Sequence, residues 1–318
     1  MEAPAYRNRS IGSLKSLARH LSISPEQLVW LANQAEEFYS PPSKPAFKSN
    51  GEIREIYRVD NPLALIQQRI KERILHKCAY PNYLQGSVPN QGTRRDYITN
   101  ANLHTKKQVI LGEDISDFFS SIRASDVERM WQHLFHFPQN IARILTKLTT
   151  YRGHLPQGAS TSSFIGNLIF WDKEPQFVED LKRRGFQYSR YVDDITISAE
   201  RYVSPKELQA ITSTLYAMLS SKGVRPNRKK RSLQSNSGPM TVHKLPLNSG
   251  RPTLGRRKWS KLRAEVKQIE DMARDKRASK EYETKYQSLY GKIGAMARIE
   301  PQKAKPYIDR LRLVKPEK

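Results

Sequence analysis

The tetrapeptide Tyr191-Val192-Asp193-Asp194 constrains the fold of this chain more than any other stretch. Phe186 leads into it on one side; on the other, Ile195, Ile197 and Ala199 alternate with Thr196 and Ser198. Period-two alternation about a polar centre predicts a β-hairpin over 186–199 with the two aspartates at its tip. Adjacent carboxylates repel, so a fold that keeps them there needs a cation between them and a further carboxylate. Asp114, which follows the apolar run Val109-Ile110-Leu111, is the candidate third. Oxygen donors of this kind suit Mg²⁺, which takes one or two protein carboxylates and completes its shell with water and phosphate oxygens. Two such ions, about 3.5–4 Å apart, are the usual machinery of in-line phosphoryl displacement. Asp-Asp in a turn can also be merely solvated. The strand context, the strand-terminal Asp114, the loop Leu155-Pro156-Gln157-Gly158 and a basic tail together favour chemistry.

Charge supplies the second constraint. The 318 residues carry 55 Lys+Arg against 31 Asp+Glu, a formal +24. Residues 223–318 hold 26 of the basic and 9 of the acidic residues, so 26 − 9 = +17 of that surplus lies in the last third. A surface of this kind faces a nucleic acid, an anionic membrane or an acidic protein. No basic amphipathic helix with a strongly apolar back and no lipidation signal supports the membrane, so DNA or RNA is the expected partner. No apolar run approaches the ~20 residues of a membrane span, and MEAPAYRNRS has no apolar stretch behind its arginines. Cys78 is alone, which excludes an internal disulfide and a cysteine zinc cluster. A cytoplasmic location is expected.

Along the chain, Ser24-Pro25 and Ser204-Pro205 read as helix starts. Phe47 to Arg58 reads as two short strands about Ser49-Asn50-Gly51. Asn61-Pro62 opens a helix, Pro81 to Arg95 is loop, and Ser125-Asp126-Val127-Glu128 matches a capping box. Ser160 to Lys182 is expected to be one long helix, and the tail from Arg256 onward mostly helical.

In their order, Asp114-Ile115-Ser116-Asp117-Phe118-Phe119, Leu155-Pro156-Gln157-Gly158, Tyr191-Val192-Asp193-Asp194 and the segment Gly223 to Arg231 resemble motifs A to D of reverse transcriptases. The likeness covers at least residues 48–260. Asn100-Ala101-Asn102-Leu103-His104 fits the NAxxH element of the bacterial retron type. Two positions depart from the family pattern: Ser163 stands where a proline is common, and Val242-His243-Lys244 where retron enzymes often have Val-Thr-Gly.

The resemblance implies an α+β right-hand polymerase fold, with N-terminal helices and fingers over 1–107, a palm with an antiparallel sheet over 108–238 and a helical basic thumb over 239–318. It implies that Asp114, Asp193 and Asp194 hold two Mg²⁺ ions, and that Phe119 lies under the incoming sugar as a steric gate. Gln157 contacts the nucleotide, and Gly158 lets the backbone approach it. Arg54, with Lys48 as a second candidate, clamps the triphosphate, and Lys230 protonates the departing pyrophosphate. Asn100 and His104 are expected to recognise RNA, and Arg256, Arg257, Lys258, Lys261 and Arg263 to grip a duplex through its phosphates. Trp259 and Tyr290 are expected in the thumb core.

The implied activity is RNA-directed DNA synthesis from dNTPs on a structured noncoding RNA of the msr-msd type. The same RNA supplies a 2′-hydroxyl primer, and the product is branched RNA–DNA (msDNA). A role in phage defence is implied, with an effector carried as a separate protein. The alternatives are another bacterial reverse transcriptase, of the abortive-infection or unclassified type, and a palm-fold RNA-binding protein without catalysis.

Overall fold

The computed structural model describes residues 1–47, 51–90, 92 and 94–317. Lys48, and with it the expectation that it contacts triphosphate, lies outside them. The chain divides into two units, Met1–Asn100 with Gln108–Leu233, and Ala101–Lys107 with Gln234–Lys318.

The first unit is organised by a sheet whose strands run in the order Arg225–Pro226, Val109–Ser116, Asp194–Ala199, Phe186–Tyr191, Leu84–Gln85. All neighbours along this path are antiparallel except the last pair. The hairpin 186–199 forms as the alternation predicts. Its polar positions are nevertheless buried as well, Thr196 at 6 % and Ser198 at 0 % exposure, beside Ile195 and Ile197. Alternation here separates an apolar face from a hydroxyl face, not core from solvent, and a sheet covered on both sides holds its register firmly. Leu84–Gln85 is a parallel edge strand inside a segment expected to be loop; two residues are too short to show any alternation.

Around the sheet, helix starts follow local chemistry. Ser24 accepts from the Gln27 amide and Gln27 returns the bond, a complete capping box with Pro25 at the first helical position. Ser204 accepts from the Glu207 amide above Pro205. The box expected at Ser125 does not form. The helix begins two residues earlier, at Ala124 with Arg123 as its N-cap and no side-chain cap, and the Ala124 amide donates to the Gly153 carbonyl at 2.8 Å. The long helix expected over 160–182 is two, Ser162–Leu168 and Glu174–Arg183, the second restarting with Pro175 in its first turn, where its missing N–H costs nothing. Helices Ala124–His133 and Gln139–Thr149 pack on the same core through Trp131, Phe135 and Phe137. The fingers hairpin pairs Ala46–Phe47 with Ile53–Arg54.

The second unit is built on three helices, Arg256–Lys276, Lys280–Ala297 and Pro301–Leu313. The first two pack on each other, burying Trp259, Leu262, Val266 and Ile269 of the first and Tyr282, Tyr286, Leu289 and Ile293 of the second, while the Trp259 ring stacks on Tyr307 of the third at 5.9 Å. Glu300 ties the ends together: it accepts from the Leu254 amide at 2.8 Å and from Trp259 Nε1 at 3.0 Å, and pairs with Lys303. Trp259 is thus a core residue. Tyr290 is not: it is 42 % exposed and stacks on Tyr286, because its helical position falls at the edge of the apolar stripe. Among the described residues no helix is long and apolar enough to cross a membrane.

Candidate active site

The hairpin register assembles the site. Antiparallel pairing sets Asp194 directly opposite Asp114, and Tyr191 opposite Asp194 across the turn residues Val192 and Asp193. The Asp193 carbonyl accepts from the Ile115 amide at 3.1 Å, so the turn is tied to the strand that carries Asp114. Val192 has φ +60°, a left-handed conformation that a β-branched side chain rarely tolerates and that costs on the order of 1–3 kcal/mol. Strain of this size persists only where surrounding contacts impose it.

Asp114 is 8 % exposed, and Asp193 and Asp194 are half-buried. Burial raises the Asp193 carboxyl, with Asp114 pushing the same way, while its own backbone amide, Lys230 and Arg54 pull it down. Asp194 is pushed up to about 7, first by burial and then by the charges of Asp193 and Asp114, against the pull of Lys230. Lys230 Nζ lies 3.0 Å from Asp114 Oδ1. The loop that carries it is pinned by the Asn227 amide, which donates to the Asp114 carbonyl at 2.7 Å. Burial, more than charge, thus disfavours the ionised forms of Asp193 and Asp194, and the neighbouring cations offset this only in part. Among the described residues no group of three or more acidic, histidine or cysteine side chains is set to hold a metal ion by itself; Mg²⁺ needs only one or two protein carboxylates and takes the rest of its shell from water and phosphate.

A profile of the family "Reverse transcriptase (RNA-dependent DNA polymerase)" matches residues 47–270, well over half the chain. The chain belongs to the reverse transcriptases. Its curated relatives are of the retron type. The retron Se72 reverse transcriptase of Salmonella heidelberg (strain 579083-10) is 30 % identical over 302 residues, covering 94 % of this chain and 78 % of that one. The retron Ec48 enzyme of Escherichia coli is 29 % identical over 97 % of this chain and 78 % of its own length, and the Ec86 enzyme of the same species 28 % identical over 83 % and 82 %. This reverse transcriptase is an RNA-directed DNA polymerase of the retron type with the right-hand fold of its family.

In the reverse transcriptase, Asp114, Asp193, Asp194 and Lys230 come together, and Arg54, itself exposed on the fingers strand, acts electrostatically on Asp193. Phe119 is half-buried, packed against Phe118 at 5.4 Å and facing Gly166, where a Cβ would lie 3.6 Å from its ring. Gln157 and Gly158 lie against the fingers: the Gln157 carbonyl accepts from the Tyr57 amide at 2.8 Å. Gly158, at φ +108°, would place a Cβ 2.2 Å from the Tyr57 carbonyl oxygen. The close approach that requires glycine in this structure is therefore to the protein's own backbone. Asn100 and His104 are both at 0 % exposure, so the NAxxH side chains lie inside the protein. A fully buried side chain acts on a bound molecule only through the backbone it positions. Arg256, Arg257, Lys258, Lys261 and Arg263 are all exposed on the first thumb helix.

Sequence reasoning missed one feature of the reverse transcriptase's palm. Arg190, the residue before Tyr191, is 0 % exposed and its Nε lies 2.6 Å from Oε1 of Glu174, itself 1 % exposed. An arginine inside an otherwise buried strand is the signal that such a partner must exist, since an unpaired buried charge costs several kcal/mol. The partner's position, sixteen residues upstream on another element, is not readable from spacing.

Proposed function

We propose that this reverse transcriptase copies a structured noncoding RNA of the msr-msd type from a 2′-hydroxyl of that same RNA, making branched RNA–DNA. The observation that carries this reading is the assembled Asp114, Asp193, Asp194 and Lys230 set in a chain alike over nearly its whole length to retron enzymes. Asp114, Asp193 and Asp194 would hold two Mg²⁺ ions, which when bound supply Lewis-acid activation of the attacking hydroxyl and charge for the leaving oxygen. The protein's own groups do the rest. Lys230, beside Asp114, is placed to give a proton to the departing pyrophosphate. Arg54 approaches from the fingers to hold the triphosphate, with Lys48 as its sequence neighbour, and Gln157 orients the nucleotide. The Phe119 ring excludes a 2′-hydroxyl. Positioning and electrostatics of this sort provide most of the rate in phosphoryl transfer.

The exposed cations of the first thumb helix would hold the A-form duplex through phosphates, and Asn100 and His104 would shape the backbone that meets the RNA. We read the chain as fingers, palm and thumb over 1–107, 108–238 and 239–318, working in the cytoplasm beside a separate effector protein in phage defence. Sequencing the nucleic acid that co-purifies with the protein, before and after a debranching nuclease, tests the priming chemistry. One discrete RNA joined to DNA through a 2′–5′ linkage is expected; only linear or random RNA overturns it.

A further inference from the structure

Arg190 is held by more than Glu174. Its Nε and one Nη2 hydrogen bond the two Glu174 oxygens at 2.6 and 2.7 Å. Nη2 also donates to the Asn167 carbonyl at 2.9 Å, and Nη1 to the Gly166 carbonyl at 3.4 Å and the Val192 carbonyl at 3.0 Å. A guanidinium has five N–H bonds, and here each has an acceptor. The Tyr188 hydroxyl closes the cluster from below, donating to Glu174 Oε1 at 2.6 Å, and the guanidinium carbon sits 5.3 Å over the Phe170 ring.

The acceptors define what this arginine joins. Gly166 and Asn167 lie in the last turn of helix Ser162–Leu168, where the Gly166 carbonyl also accepts from the Ile169 amide at 3.5 Å; that helix follows the Leu155-Pro156-Gln157-Gly158 loop. Asn167 reaches onward, its Nδ2 donating to the Gly86 and Ser87 carbonyls at 2.9 and 3.0 Å. Val192 is the left-handed residue of the hairpin turn, immediately before Asp193. The two carbonyls of that turn are thus anchored separately, Asp193 to the Asp114 strand through the Ile115 amide and Val192 to Arg190.

We infer that Arg190, fixed by Glu174, is a positioning residue: it holds the Val192 carbonyl, and with it the strained turn, so that Asp193 and Asp194 stand at a set place relative to the helix behind the nucleotide loop. The role rests on the reading of those aspartates as metal ligands and deepens it. It is geometric. The charges acting on Asp193 are those of Asp114, Lys230 and Arg54, and on Asp194 those of Asp193, Asp114 and Lys230; Arg190 is not among them. A lysine at 190 keeps the charge and one or two hydrogen bonds but cannot span Glu174, the helix end and the turn together.

The test compares wild type, Arg190→Lys, Val192→Gly and the double variant, with RNA-primed dNTP incorporation and, independently of activity, Mn²⁺ binding followed by the electron paramagnetic resonance of the free ion. Measurements are made well below each variant's melting temperature. Arg190→Lys is expected to bind RNA as wild type does, with the dNTP KM within about twofold. Its kcat should fall ten- to a hundredfold and its Mn²⁺ affinity several-fold. Glycine tolerates the left-handed turn without strain, so Val192→Gly in the Arg190→Lys background should recover a large part of both losses; a merely structural arginine would not be rescued from the turn. Wild-type kcat and Mn²⁺ affinity in Arg190→Lys, or no rescue by glycine, overturns the proposal. If Arg190→Lys does not fold, Glu174→Gln, which keeps shape and one acceptor, is expected to show the same signature; failure of both to fold makes the pair structural and also overturns it. Normal Mn²⁺ binding in Asp193→Asn would instead remove the metal-ligand reading beneath the proposal.

Discussion

At the scale of single residues, the aspartates of the turn are kept at a cost. Asp194 is raised from an ordinary carboxylate to about 7 by burial and by its two acidic neighbours. A carboxyl whose folded value lies above its unfolded one weakens the fold as pH rises through that window, because the unfolded chain ionises it freely. Without divalent cations at neutral pH, Asp194→Asn is therefore expected to stabilise the protein, by about 1–2 kcal/mol once solvent screening of a half-buried group is allowed for. Chemical denaturation reads this directly, and a loss of stability would show that the carboxylates do not repel. On the proposed mechanism Asp193→Asn should abolish dNTP incorporation while leaving RNA affinity within a few-fold, and retained synthesis in a primer-extension assay would sink that mechanism. On that mechanism polymerisation is set against stability at the two aspartates of the turn.

Elements differ in how plainly the sequence announces them. Ser24 and Ser204 act on amides three residues away, and the hairpin declares itself through alternation within fourteen positions, so both are legible locally. That Asp114 and Asp194 stand opposite each other was legible from motif order and the hairpin pattern. What was hidden depends on partners distant in sequence: the Arg190–Glu174 pair, the glycine demanded at 158 by the Tyr57 carbonyl, the bond to the Gly153 carbonyl at a helix start, and the burial of Asn100 and His104. Local pattern cannot report a contact whose other half lies tens of residues away. The thumb's first helix lies between these cases. Its charged face was evident and is exposed, and its prediction is electrostatic. Reversing Arg256, Lys258 and Arg263 to glutamate should lower affinity for an RNA duplex and reduce the slope of log K against log salt by about 2–3, near 0.7–0.9 per lost phosphate contact. An unchanged slope would place the duplex elsewhere.

For the molecule as a whole, acidity acts through a further buried group, a histidine of the second unit. Burial holds His104 near 3, so the folded protein keeps it neutral while the unfolded chain protonates it below about 6.5. The unfolded state then binds the extra proton, and this residue's contribution, complete above pH 6.5, is lost as pH falls, by about 1.4 kcal/mol per unit. The difference in unfolding free energy between wild type and His104→Phe should therefore shrink from pH 6.5 toward pH 4.5; a constant difference would mean that the imidazole is accessible to protons in the folded state. The +24 surplus favours RNA from a distance, but the terms of entry into the palm are set locally.

The elevation of Asp194 has one further consequence. A carboxyl poised near 7 is about half protonated at neutral pH, and it cannot keep that proton once divalent charge arrives beside it. If the site takes Mg²⁺ as proposed, loading it is an exchange, hydrogen ion out for metal ion in. Titrating Mg²⁺ into a weakly buffered solution at pH 7 should then liberate protons, fewer at pH 8 and fewer from Asp194→Asn. On the proposed reading, affinity for the ion would tighten as the surroundings become more alkaline and weaken as they acidify.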